Sequence, residues 1–130
     1  MIKTDEELKE EELYNKLIEA IDEGNKEEVQ RLINEGVYVN KLDENIKTPL
    51  IISIEKGKDE IAKLLLDNGA YVDLPVMSAM DYKMHSALYS AVSKGNYDMV
   101  EELIKRGANL NVGNQDYDLN KYKLPLRLAI

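Results

Sequence analysis

Apolar residues recur at steps of three and four in six short segments. They are Leu13-Leu17-Ala20-Ile21, Val29-Leu32-Ile33, Leu50-Ser53-Ile54, where the small Ser53 takes one of the places, Ile61-Leu64-Leu65, Leu88-Ala91-Val92 and Val100-Leu103-Ile104. That spacing gathers side chains onto one face of an α-helix and leaves the other faces polar. The pattern predicts helix pairs over 12–23 and 26–34, 49–56 and 59–68, and 87–94 and 97–106. Gly24, Gly57 and Gly95 separate the members of each pair, and Gly36, Gly69 and Gly107 follow the second member. Within both glycine sets the successive separations are 33 and 38 residues, so the chain repeats one unit of helix, glycine turn, helix, glycine stop. Upstream of the first pair, Thr4 followed by Glu7 reads as a capping box that starts a helix there.

After each second glycine the chain reads Gly36-Val37-Tyr38-Val39-Asn40, Gly69-Ala70-Tyr71-Val72-Asp73 and Gly107-Ala108-Asn109-Leu110-Asn111. With Thr48-Pro49-Leu50 opening a helix, then Gly57, Ile61, Leu64-Leu65-Leu66, Asn68-Gly69-Ala70 and Val72-Asp73, the chain resembles the ankyrin repeat over residues 12–130. The resemblance implies an all-α fold, an ankyrin-type helix-turn-helix solenoid of three full repeats plus a partial fourth. The repeats run at about 10–42, 43–75, 81–113 and 119–130 within one domain, 1–130. Thr48 and Ser86 suit the helix-capping position, and Pro49 and Pro125 the first helical position. The family's histidine after Thr-Pro-Leu is replaced by Ile51, Tyr89 and Arg127. Its glycine two residues before the threonine is replaced by Ile46, Met84 and Tyr122, so the hairpin tips are expected to abandon the family's glycine turn. Spacings of 38 place five extra residues in each of the connections 74–83 and 112–123, which predicts lengthened hairpin loops. Tyr38 and Tyr71 hold equivalent positions and are expected to pack against the scaffold. Leu126, Leu128 and Ile130 open a fourth unit with an apolar face. That face is expected either to self-associate weakly through 124–130 or to be covered by further chain.

Composition narrows the chemistry. The 130 residues contain no cysteine and one histidine, His85, which excludes disulfides, thiolate or multi-histidine metal sites and a cysteine nucleophile. A net charge of −8 opposes nucleic-acid binding, and no apolar run approaches the length a membrane helix needs. The acidic start lacks the features of an export signal, so an intracellular, cytoplasmic location is expected. No phosphate loop, nucleophile elbow or paired zinc motif is present, and neither catalysis nor a cofactor is expected. The stretch Asn114–Asn120 alternates oxygen-bearing side chains, but Leu119 and Pro125 stand where a calcium loop needs glycine and glutamate, which leaves a polar finger. The charge is segregated. Residues 1–46 hold 14 acids and 6 bases, whereas residues 47–130 hold 11 of each.

By the same resemblance, a partner is held by the hairpin tips and the exposed side of the first helices. In this chain that surface maps to Tyr14, Asp22 and Glu23, then Glu44, Asn45, Lys47, Glu55 and Lys56. It continues through Tyr82, Lys83, His85, Ser93 and Lys94 to Asn120, Lys121 and Lys123. It should grade from acidic to basic and aromatic. The candidate contacts are Lys47, Lys56, Tyr82, Lys83, His85, Tyr89, Lys94, Lys121 and Lys123. Tyrosine supplies contact area with a polar tip, and the charges would orient the partner. The expected function is a protein-binding module without chemistry. The alternatives are a regulatory or targeting domain of a longer enzyme or effector, and a stand-alone inhibitor of the immunity type.

Overall fold

The computed structural model describes residues 2–73 and 86–108. Among them are six helices and no strand: α1 (Asp5–Glu23), α2 (Lys26–Asn34), α3 (Pro49–Glu55), α4 (Asp59–Asp67), α5 (Ala87–Ser93) and α6 (Tyr97–Lys105). The chain falls into two compact units, Met1–Ala70 and Tyr71–Ile130. In the first, α1 packs on α2 and α3 on α4, while α1 also meets α3 and α2 meets α4. In the second, α5 packs on α6. The lengthened connections 74–83 and 112–123, the partial repeat at 119–130 and the self-association segment 124–130 lie outside the described residues.

The turns inside the helix pairs are chemically alike. Gly24, Gly57 and Gly95 have φ of 70°, 72° and 67°, a left-handed conformation that glycine adopts without a Cβ clash. The residue after each donates its N–H to the same helical carbonyl: Asn25 to Ala20 O, Lys58 to Ser53 O and Asn96 to Ala91 O. At the far end of each pair the chain stops with a Schellman arrangement. Val37, Ala70 and Ala108 donate back to Leu32, Leu65 and Leu103 across the left-handed Gly36, Gly69 and Gly107. Val37, Ala70 and Ala108 are buried, so each stop also seals an apolar contact.

Two features depart from the sequence pattern. The first helix begins at Asp5, seven residues before the predicted 12, because the Thr4 capping box feeds directly into the repeat helix. The Thr4 hydroxyl accepts from the Glu7 N–H at 3.1 Å, and the Glu7 carboxylate accepts from the Thr4 N–H at 3.0 Å. That hydrogen bond is the main reason the Glu7 carboxyl sits below its ordinary pKa. No glycine or proline interrupts residues 5–23, so the two segments merge into one helix of 19 residues. The second departure is α3, where Pro49, Leu50, Ile51, Ile52, Ser53 and Ile54 are all buried. Ile51, which holds the family's histidine position, is only 2% exposed. A helix this short has room for one stripe, yet α3 is enclosed almost all round, and the Ser53 hydroxyl is satisfied by donating to Leu50 O at 2.7 Å.

Candidate partner-binding surface

The second repeat begins with a tight loop built on Asp43. Its N–H donates to Lys47 O, and its carbonyl accepts from the Ile46 N–H, both at 3.0 Å. Its carboxylate Oδ1 accepts from the Asn45 N–H at 2.8 Å and from the Lys47 N–H at 3.0 Å. Inside this clamp Ile46 has φ of 61°. The expected abandonment of the family's glycine turn is therefore corrected at this tip: the isoleucine adopts the left-handed backbone itself. A β-branched residue pays a steric penalty there, of order 1–3 kcal/mol, and persists only where its surroundings over-determine the conformation. Asp43 is the over-determining residue. An aspartate opening a turn is a recognisable signal, and sequence reasoning passed over it.

Beyond the loop, Thr48 caps α3 by accepting from the Ile51 N–H, and Pro49 takes the first helical position, as predicted. The helix so started packs against both α4 and α1. The model of the family described as ankyrin repeats matches residues 17–114, in three copies. The chain belongs to the ankyrin-repeat family. Its fold class is accordingly the all-α ankyrin solenoid, whose members are generally protein–protein interaction modules and typically non-catalytic. Comparison with curated proteins gives no match.

Within this ankyrin scaffold the candidate lysines have unequal surroundings. Lys47 is half-buried, and its Nζ lies 2.9 Å from Glu55 Oε1. Lys56 reaches back one repeat to Asp22 Oδ1 at 2.7 Å. That hydrogen bond, reinforced by the charges of Lys56 and then Lys58, holds the Asp22 carboxyl below its usual pKa. Lys41 Nζ sits 4.6 Å from the ring centroid of Tyr14, a cation–π distance. Burial, and then the charge of Asp43, raise the Tyr14 hydroxyl pKa. Lys3 binds Glu11 and is the main cause of that carboxyl's lowered pKa. On the first unit, therefore, the mapped basic residues are matched by acids.

The second unit differs. Tyr89 is half-buried on α5, whose N-terminus is capped by the Ser86 hydroxyl accepting from the Tyr89 N–H at 3.0 Å. Lys94, at the C-terminal end of α5, is exposed and makes no ion pair among the described residues. Tyr82, Lys83, His85, Lys121 and Lys123 lie outside the described residues. Tyr38 and Tyr71 correct the sequence reading, since they are 59% and 49% exposed. Each follows the buried residue of a Schellman stop, and a chain that turns one side chain inward at such a stop sends the next one outward.

No helix among the described residues is long and apolar enough to cross a membrane.

Proposed function

We propose that this chain is a non-catalytic binding module that holds a partner protein along its hairpin tips and the exposed side of its first helices, with the basic and aromatic end providing the recognition. The observation that carries this reading is Lys94: an exposed ammonium with no acidic partner among the described residues, at the C-cap of the helix that carries Tyr89. Lys83, Lys121 and Lys123 would extend that character, and Tyr82, Tyr89 and His85 would supply contact area beside it. Lys47 and Lys56 are already bonded to Glu55 and Asp22. Their part is to fix the geometry of the tip and to exchange partners only where the bound protein offers a better acid. The partner face is accordingly acidic opposite Lys94, an arrangement that steers association and selects orientation. Neither nucleic acid nor membrane fits a chain of net charge −8.

The test is affinity purification of native partners with the wild-type chain and with a Lys83→Glu, Lys94→Glu, Lys121→Glu variant whose circular dichroism is unchanged. Proteins retained by the wild type should be lost by the variant. Equal retention by the folded variant would move the site off this face.

A further inference from the structure

Asn68 and Gly69 form the one Asn-Gly pair in the sequence, and they sit at the end of α4. We infer that this pair is a self-modification site, at which the Asn68 side chain loses its amide and becomes a mixture of aspartate and isoaspartate. The backbone nitrogen of Gly69 attacks the Asn68 side-chain carbonyl carbon, ammonia leaves, and a five-membered succinimide forms. Water then opens the ring at either carbonyl. No oxidant, reductant or enzyme is required, and the glycine, lacking a Cβ, offers the least obstruction to the attack.

The three equivalent helix ends differ in the features that matter here. The residue before the stop glycine is Glu35 in the first repeat, Asn68 in the second and Arg106 in the third, so only the second carries the reactive amide. The attacking nitrogen is also the most loosely held. Gly36 and Gly107 donate to Ile33 O and Ile104 O at 3.0 Å, whereas Gly69 donates to Leu66 O at 3.4 Å. Asn68 is exposed, which admits the water that opens the ring. What opposes the reaction is the hydrogen bond from Asn68 Nδ2 to Leu64 O at 2.8 Å, the long bond from the Gly69 N–H itself, the Ala70 N–H bond to Leu65 O at 2.9 Å, and a ψ of 26° that must rotate before ring closure. All of these belong to the last turn of a helix end, the part of a helix that frays most readily.

The product alters this end of the repeat. A carboxylate cannot donate to Leu64 O, and it stands beside Asp67 at the negative end of the α4 dipole. An isoaspartate also lengthens the backbone next to Gly69, whose carbonyl accepts from Asn40 Nδ2 at 3.1 Å and so ties the first repeat to the second.

The experiment incubates the purified full chain at mildly alkaline pH and physiological temperature. Peptide mapping by mass spectrometry follows each asparagine, with a parallel sample in denaturant. The inference expects the Asn68 peptide of the folded chain to gain the mass of an amide-to-acid exchange well ahead of the peptides carrying Asn25, Asn34 and Asn40. Isoaspartate should exceed aspartate, and Asn68→Gln should abolish the signal. Thermal unfolding of Asn68→Asp should be shifted downward. If the peptide converts in denaturant but stays amidated in the folded chain, or converts no faster than the other asparagines, the inference is overturned.

Discussion

Lys56 and Lys94 hold the same place in successive repeats, one residue before the glycine that joins the helix pair. Lys56 is bonded to Asp22, an acid two residues before the equivalent glycine of the preceding repeat. Lys94 is exposed, with no ion pair among the described residues. The residues that start the second helices contrast in the same way. Asn25 and Asn96 cap α2 and α6 by accepting from the Glu28 and Met99 N–H groups. Lys58, at the equivalent site, makes no cap hydrogen bond to α4. Its ammonium lies instead over Gly24, 3.4 Å from where a Cβ would stand, at the C-terminal end of α1. That end carries Asp22 and Glu23 and no basic residue of its own. The second repeat thus directs two lysines at the negative end of the first, where they offset both the side-chain acids and the helix dipole. Repeat register fixes where a side chain stands, and within the first unit the preceding repeat fixes whether the Lys56 charge is available.

The comparison concerns charges, so the interiors of the repeats should behave alike. Leu65 and Leu103 are both fully buried at matching positions. Each truncated to alanine should cost about 2–5 kcal/mol in chemical denaturation. A loss below about 1 kcal/mol at either position would show that its repeat lacks the shared core.

The next effect sharpens the account of the second repeat's tip. Ile46→Gly relieves a left-handed isoleucine while raising the entropy of the unfolded chain, and the net should be a stabilisation of about 1 kcal/mol. Asp43→Ala should act in the opposite direction by at least as much, because it removes the acceptor of two backbone N–H groups and leaves the strain. If both variants destabilise, the side chain of Ile46 contributes more by packing than its backbone costs.

Exchanging the helix-start residues sets the second and third repeats against each other directly. Asn96→Lys should cost roughly 1 kcal/mol by removing a cap. Lys58→Asn should give back less than that, since the new cap on α4 comes with the loss of the ammonium from the end of α1. A gain from Lys58→Asn equal to the loss from Asn96→Lys would mean that the Lys58 charge contributes nothing at its present location.

Much of this was legible in the sequence because the repeat imposes two conditions at once. Apolar spacing of three and four located the six helices among the described residues, and the double glycine register located their stops, since left-handed caps admit few other residues. Thr48, Ser86 and Pro49 were legible because capping is local chemistry. Three features were not. The merging of the Thr4 helix with the first repeat helix depended on the absence of any breaker between them, and the apolar stripe alone marks only the buried part of a helix. The exposure of Tyr38 and Tyr71 depended on which of two adjacent side chains turns inward at the Schellman stop. The pairing of Lys56 with Asp22 is a contact over 34 residues between repeats, and a basic residue on the mapped surface reads the same in sequence whether or not an acid faces it.

The smallest effect addresses that pairing. Asp22 is exposed, and surface ion pairs contribute little to stability, so Lys56→Ala should leave the denaturation midpoint nearly unchanged at neutral pH. The pair is visible instead in titration. The Asp22 carboxyl is held below the ordinary aspartate value first by its hydrogen bond to Lys56. A depressed folded-state pKa gives a stabilisation that is present above the unfolded carboxylate range, near pH 4, and is lost as pH falls through the folded value. In a carboxyl-detected NMR titration, Lys56→Ala should move the Asp22 midpoint up toward the ordinary value, and Lys58→Ala should move it less. An Asp22 midpoint that stays put in Lys56→Ala would show that the two side chains are not paired in solution, and would remove the contrast between the two lysines on which the proposed binding surface rests.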